Sequence, residues 1–170
     1  MSPIHVLVWL FALVWQLVTA ISLGGWLAGY GPTSTDYWAG RQPFMLLGLL
    51  LWGLALIGTI YHDEGLREIR RAVIRQKSIT KEKSTPVDKL YRIPEGGLFR
   101  FILYPHYLCE WMEWAGFWMV AGVNCIPARS FVVNEVSTML PRAIQGRGWY
   151  LETFGANKVG NKRAVIPGLL

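Results

Sequence analysis

Two long apolar runs near the N-terminus set the strongest limit on what this chain can fold into. No Asp, Glu, Lys or Arg precedes Asp36, and a second uncharged run extends from Pro43 to Tyr61. A helix needs about 20 mainly apolar residues to cross a bilayer. Hydrophobic residues make up 52% of the chain and charged residues only 16%, with a mean hydropathy of +0.29. Because soluble domains carry about 25% charged residues, the composition favours an integral membrane protein.

The apolar segments predict an all-α integral membrane helical bundle of about four transmembrane helices, formed by a single domain, 1–170. The predicted spans are residues 4–27, 43–61, 98–123 and 127–145. For the first span, a signal peptide cleaved near Val18-Thr19-Ala20 stays open as an alternative. Pro94, Gly96 and Gly97 break the backbone ahead of the third span.

Basic residues concentrate in the loop 64–95 and in the tail 146–170. Since cytosolic segments of membrane proteins carry the excess Lys and Arg, both segments are predicted to lie in the cytosol, and four spans place the N-terminus there as well. Residues 64–76 are expected to continue the second helix, and residues 77–89 to form a mobile loop. The net charge is +6, but nucleic-acid binding is disfavoured because no basic stretch lies on a soluble fold.

The cysteines and histidines do not indicate a metal site. Cys109 and Cys125 lie in or beside apolar segments and indicate neither a disulfide framework nor a metal site. His5, His62 and His106 are too scattered for a zinc cluster. No metal site is predicted.

The segment 91–114, YRIPEGGLFRFILYPHYLCEWMEW, places ionisable side chains inside an apolar stretch. A charged side chain at the bilayer centre costs about 2.5–3.5 kcal/mol, so such residues indicate function by default. His106 and Glu110 share one helix face, and so do Glu110 and Glu113. These residues predict a polar ligand site inside a membrane bundle.

Other polar residues occur toward the predicted cytosolic ends of the spans: Asp63, Arg67, Arg70, Tyr91, Arg92, Arg142, Trp149 and Tyr150. A ligand with phosphates at the rim and a polar ring deeper in the bundle fits this pattern, because arginine binds phosphate through paired hydrogen bonds. Two simpler readings stay open. The arginines that follow the second span are possible anchors to anionic lipid, and Glu110 is a possible structural ion-pair partner of Arg100 or Arg142.

Three ordered blocks carry a resemblance to a known family. YRIPEGGLFRFILYPHYLCEWMEWAGF resembles the signature of the steroid 5-alpha-reductase family, with an Arg-Ile-Pro-x-Gly-Gly-Leu-Phe entry and a later Glu-x-x-Glu-Trp-x-Gly. IYHDEGLREIRR resembles the Asp-x-x-Leu-Arg-x-x-Arg stretch of that family. RAIQGRGWYLETF followed by KRAVIPGLL resembles its closing block. The likeness covers about residues 36–170 and, more weakly, the first span.

The resemblance implies a function. Such enzymes are seven-span, all-helical reductases of the endoplasmic reticulum membrane, and this chain corresponds to the C-terminal part. They bind NADPH from the cytosol and reduce a carbon–carbon double bond conjugated to a ketone in a steroid-like or other lipid substrate. The cofactor supplies the hydride. Residue by residue, the resemblance assigns cofactor binding to Asp63, Arg70, Tyr91, Arg92, His106, Glu110, Arg142 and Tyr150.

This chain also departs from the family pattern. The family assigns polarisation of the substrate carbonyl to a Tyr and a Glu in three preceding spans, and residues 1–30 contain no Glu and only Tyr30. We therefore expect that this catalytic part is missing, and the catalytic residues stay unassigned. Thr59 stands where an Asn is expected, and Gln145-Gly146-Arg147 stands where the family has a pair of histidines.

Two other functions stay open at the level of sequence. A degenerate, non-catalytic paralogue would bind NADPH or a membrane partner without turnover. A membrane methyltransferase of prenylcysteine or phospholipid would also place a histidine turn and a glutamate late in a helical bundle.

Overall fold

The computed structural model describes residues 5–80 and 91–169, without the side chains of residues 76–80. Its elements are α1 (Val6–Gly29), α2 (Thr35–Thr80), a 3-10 helix (Gly97–Arg100), α3 (Pro105–Ala121), α4 (Ile126–Phe154) and the short α5 (Ala156–Val159). The described residues contain no strand beyond one isolated bridge. The predicted all-α class is therefore confirmed.

Two of these helices are long and apolar enough to cross a membrane, Val6–Gly29 and the part of α2 from Thr35 to Arg75. No residue of α1 is buried, and Phe11 and Ile21 are each 71% exposed. A helix that is apolar on every side belongs in lipid or in a protein interior.

The bounds of the remaining elements differ from the predicted ones. The second helix begins at Thr35 and runs through Pro43 to Thr80, so the expected helical extension beyond the second span is present. Most of the predicted mobile loop, residues 77–89, lies outside the described residues. The third helix begins only at Pro105, because the residues before it form a 3-10 turn and an extended segment. The fourth continues to Phe154, into the predicted tail.

Contacts within the chain define two compact units. The first contains residues 1–52 and 114–134, and its small core is formed by Ala121, Cys125 and Ala128. In this unit α2 approaches α3 at two glycines. A Cβ added to Gly48 would lie 2.9 Å from the carbonyl oxygen of Gly116, and one added to Gly116 would lie 2.7 Å from that of Gly48. Small residues permit such close helix packing in membranes.

The second unit contains residues 53–113 and 135–170. Its core consists of Trp111 from α3, Ala143 from α4, and Ala164 and Val165 from the tail. The tail is anchored by a parallel bridge between Ile102 and Arg163. The amide of Arg163 donates to the carbonyl of Phe101 at 2.9 Å. An extended tail therefore orders the segment that leads into α3.

Candidate functional site

All eight residues that the sequence assigns to cofactor binding lie in the second unit. They come from three helices and from the segment before the 3-10 helix: Asp63 and Arg70 in α2, Tyr91 and Arg92 in the segment, His106 and Glu110 in α3, and Arg142 and Tyr150 in α4. Residues four, seven or eight apart in a helix return to the same face. Each helix therefore presents its pair on one side.

Electrostatic interactions connect the faces of α2 and α3. The carboxylate of Asp63 attracts the charged form of the His106 imidazole and repels the carboxylate of Glu110, so both side chains lie within electrostatic range of Asp63. Arg70, two helical turns beyond Asp63, interacts with the phenol of Tyr150 on α4. The polar faces of the three helices thus meet inside one unit.

A chain of ring contacts runs from the rim to the interior of this unit. Tyr91 contacts Trp149 with ring centroids 5.1 Å apart, and Trp149 contacts Tyr150 at the same spacing. Tyr150 contacts Tyr104 at 6.5 Å, and Tyr104 contacts His106 at 5.8 Å. Edge and tilted contacts of this kind are favourable for aromatic rings. We call these five residues the aromatic series.

Tyr104 is the member of the series that the sequence did not single out. It lies in the extended segment before α3, and its amide donates to the carbonyl of Ala164 in the tail at 3.0 Å. Its ring packs against Gly146 of α4, where an added Cβ would collide with the phenol oxygen. Sequence comparison marks Gly146 as the loss of an imidazole. In the structure, the phenol group of Tyr104 lies where a Cβ at position 146 would be.

The two histidines of this unit differ in their partners. His62 is 4% exposed, its Nδ1 lies 2.6 Å from the carbonyl of Gly58, and its Nε2 accepts the amide of Leu98 at 3.1 Å. His62 thus ties α2 to the 3-10 helix. The Nδ1 of His106 is buried and has no hydrogen-bond partner among the described residues. A buried polar atom without a hydrogen-bond partner lowers the stability of the protein by about 1–3 kcal/mol. A ligand that hydrogen-bonds to His106 would remove this cost, so His106 is the strongest candidate for a ligand contact among the site residues.

Burial favours the protonated form of the Tyr150 phenol. Burial raises the pKa of Tyr150 above its usual value, the positive charge of Arg70 partly opposes this rise, and Tyr91 adds to it. Tyr150 therefore keeps its proton at neutral pH. It is able to donate a hydrogen bond to an anionic or carbonyl oxygen.

The simpler ion-pair reading of Glu110 does not hold among the described residues. Neither Arg100 nor Arg142 pairs with Glu110, whereas Glu64 pairs with Arg67 at 3.4 Å and with Arg71 at 2.5 Å. The hydroxyl of Thr59 donates to the carbonyl of Ala55 one turn earlier at 3.1 Å, so towards a ligand its oxygen could only accept a hydrogen bond.

Arg92 is set apart from the other predicted residues. It lines a cleft of about 600 Å³ together with Tyr61, Gly65 and Glu68. These three α2 residues lie on the opposite side of the helix from Asp63 and Arg70, given 3.6 residues per turn. A ligand that contacts both groups would have to extend around α2.

Comparison with known proteins gives the family. A family model described as 3-oxo-5-alpha-steroid 4-dehydrogenase matches residues 2–170. The chain belongs to this family. An uncharacterized protein of Schizosaccharomyces pombe is 32% identical over 170 residues, which cover 99% of this chain and 59% of that protein. The resemblance drawn from the three sequence blocks is confirmed.

Two relatives of this family have names that state an activity. A steroid 5-alpha-reductase of Solanum lycopersicum is 28% identical over 162 residues, which cover 93% of this chain and 54% of the relative. The 3-oxo-5-alpha-steroid 4-dehydrogenase 1 of Rattus norvegicus is 33% identical over 133 residues, which cover 76% of this chain and 43% of the relative. The chain thus spans about half the length of the curated relatives it matches.

Proposed function

We propose that this chain forms the cofactor-binding part of a membrane-bound, NADPH-dependent reductase. The substrate is a steroid-like or other lipid molecule with a carbon–carbon double bond conjugated to a ketone. The observation that supports the proposal is that the eight family-matched residues all belong to one compact unit, in which Asp63, Arg70, His106, Glu110 and Tyr150 interact across three helices. The family and the names of two relatives support the chemistry.

The residues of this unit fit a dinucleotide. Arg70 and Arg142 supply guanidinium groups for the phosphates, which arginine binds through paired hydrogen bonds. Arg92 would bind a part of the same ligand that extends around α2. Asp63 and Glu110 accept hydrogen bonds from ribose hydroxyls or an amide. The buried, unpartnered Nδ1 of His106 marks a position for a polar ligand atom.

Each group has a task that follows from its surroundings. When bound, the reduced nicotinamide supplies a hydride. The aromatic series presents ring edges and faces on which a planar ring can stack, and the protonated Tyr150 donates a hydrogen bond. The Nδ1 of His106 is shielded from solvent, and a polar contact to a ligand is stronger where water is excluded.

We also propose the membrane arrangement. The spans lie near residues 4–27, 43–61, 105–121 and 127–145, the third being α3 as the structure bounds it, with both termini and the loop 64–95 in the cytosol of an endoplasmic reticulum membrane. The excess of Lys and Arg in the loop and tail supports this orientation. The bilayer and a hydrophobic substrate are then the partners of the chain.

The first test is NADPH binding by the purified chain in detergent or nanodiscs. Arg70→Gln and His106→Ala are expected to weaken NADPH binding by about tenfold each, since each removes a charged or hydrogen-bonding contact. Arg67→Gln is the matched control on α2, because its guanidinium is exposed and pairs with Glu64. The control should bind as the unaltered chain does. Absence of NADPH binding, or binding of S-adenosylmethionine instead, would contradict the assignment.

Turnover is tested separately, by NADPH consumption with a 4-ene-3-oxosteroid, an enoyl thioester or a polyprenol. Consumption with one of them, lost in His106→Ala, is the expected result. Cofactor binding without turnover of any of the three would contradict the reductase activity of this chain while leaving its cofactor site intact.

A further inference from the structure

Two adjoining clefts lie in the second unit, outside the aromatic series. One has a volume of about 510 Å³ and is lined by Glu95, Gly96, Gly97, Arg100 and Lys162. The other has about 330 Å³ and adds residues of the tail, among them Lys158, Gly160 and Gly168. Arg100 and Lys162 line both clefts. None of the eight residues proposed for the cofactor lines either of them.

The charge in these clefts is mainly positive. Arg100, Lys158 and Lys162 face a single acidic residue, Glu95. Among the described residues, the exposed side chain of Arg100 forms neither a hydrogen bond nor an ion pair. Its guanidinium is therefore available to an anion.

Two hydrogen bonds hold the ammonium group of Lys162 in place and leave one of its N–H groups for a ligand. Its ammonium donates to the carbonyl of Pro94 at 3.0 Å and to that of Phe99 at 2.7 Å. An ammonium has three N–H groups, so one stays available. Burial lowers the pKa of Lys162, and the charge of Glu95 partly restores it. A bound anion would stabilise the charged form further.

Glycine keeps the walls of the clefts close to the backbone. Gly97, Gly160 and Gly168 have φ angles of 58°, 59° and 79°, which residues with a side chain rarely adopt. The clefts thus combine basic side chains with turns that carry no side chain of their own.

An apolar rim distinguishes this site from one for a soluble anion. Phe101 lines the second cleft and is 59% exposed, and Leu169, which follows Gly168 of the same cleft, is 71% exposed. Exposed apolar side chains contribute nothing to the binding of a soluble phosphate. At a membrane surface, however, apolar groups enter the acyl region while basic groups meet the headgroups.

We propose that the two clefts bind the phosphate of an anionic phospholipid, with Arg100, Lys158 and Lys162 on the headgroup and Phe101 and Leu169 toward the acyl chains. The site fixes the tail and the segment before α3 to the cytosolic leaflet. It lies apart from the cofactor residues and does not depend on the reductase activity.

The test uses the full chain in detergent, titrated with dioctanoyl phosphatidylserine and followed by tryptophan fluorescence or native mass spectrometry. Arg100→Gln combined with Lys158→Gln is expected to weaken binding by about tenfold or more. Arg67→Gln combined with Arg71→Gln removes two exposed arginines from α2 and should leave the affinity within about twofold. Glu95→Gln removes the single acidic group of the clefts and should tighten binding.

Three controls separate this site from other anion sites. Dioctanoyl phosphatidylcholine and glycerophosphoserine, which lacks acyl chains, should both bind more weakly than the anionic lipid, and the Arg100/Lys158 variant should keep its NADPH affinity. Equal loss of lipid binding in the two double variants would overturn the proposal in favour of general basic charge. Equal binding of glycerophosphoserine would overturn the assignment to a lipid. Loss of NADPH affinity would overturn the separation from the cofactor site.

Discussion

At the scale of single residues, the site depends on a pair that no local pattern connects. Gly146 lies in α4 and Tyr104 lies in the extended segment before α3, forty-two positions earlier in the chain. The absence of a Cβ at Gly146 allows the Tyr104 ring to reach His106 and Tyr150. Gly146 lacks the histidine of the family pattern, but in the folded chain its missing side chain is required for packing.

Gly146→Ala tests this packing. The added methyl collides with the Tyr104 phenol, and overpacking of this kind costs about 1–3 kcal/mol. We expect a lower thermal midpoint in detergent and weaker NADPH binding. Gly148→Ala is the control, because nothing lies within 4 Å of a Cβ there; it should stabilise the helix by up to about 1 kcal/mol.

The same substitution in a Tyr104→Leu background isolates the pair. If the Tyr104 ring causes the cost, Gly146→Ala should behave there like Gly148→Ala, and the two changes should be strongly non-additive. An equal cost of Gly146→Ala in both backgrounds would show that Tyr104 is not the residue in the way.

At the scale of elements, the apolar pattern predicts where helices exist but not where they begin. The third span was expected from residue 98, yet α3 begins at Pro105. Residues 101–104 instead pair with the tail through backbone hydrogen bonds, among them Leu103 to Arg163 at 2.9 Å. A hydrophobic run in the sequence is equally compatible with a helix and with a buried extended segment. Only the tail, distant in sequence, decides between them.

The contact between α2 and α3 depends on Gly48 and Gly116. Gly48→Val is expected to lower the stability of the first unit by about 1–3 kcal/mol, since the side chain would meet the Gly116 backbone and Met119 and the helices would have to separate. Gly53→Val in the same helix is the control, because nothing lies within 4 Å of a Cβ at Gly53. The midpoint of unfolding in sodium dodecyl sulfate measures both. Equal midpoints for the two variants would contradict the close approach.

At the scale of the whole molecule, the proposed four-span arrangement makes a topological prediction. Cysteines introduced at Arg71 and Asn161, both exposed, should react with a membrane-impermeant maleimide from the cytosolic side. A cysteine at Asn124, in the exposed turn between α3 and α4, should react only from the lumenal side. The native thiols, Cys109 and Cys125, are buried and form a low background. Labelling of Asn124 and Asn161 from the same side would contradict the arrangement.

The sequence by itself determined the helical class, the two apolar helices, the helical extension of α2 and the family, because hydrophobic length and ordered motifs are local properties of the chain. It also named residues that the fold gathers in one unit. The roles of Tyr104, His62 and Lys162 needed the tertiary structure. Each of them contacts a segment far away in sequence, and such contacts follow from packing and backbone pairing, which no periodicity encodes. The basic clefts beside the tail belong to this second group.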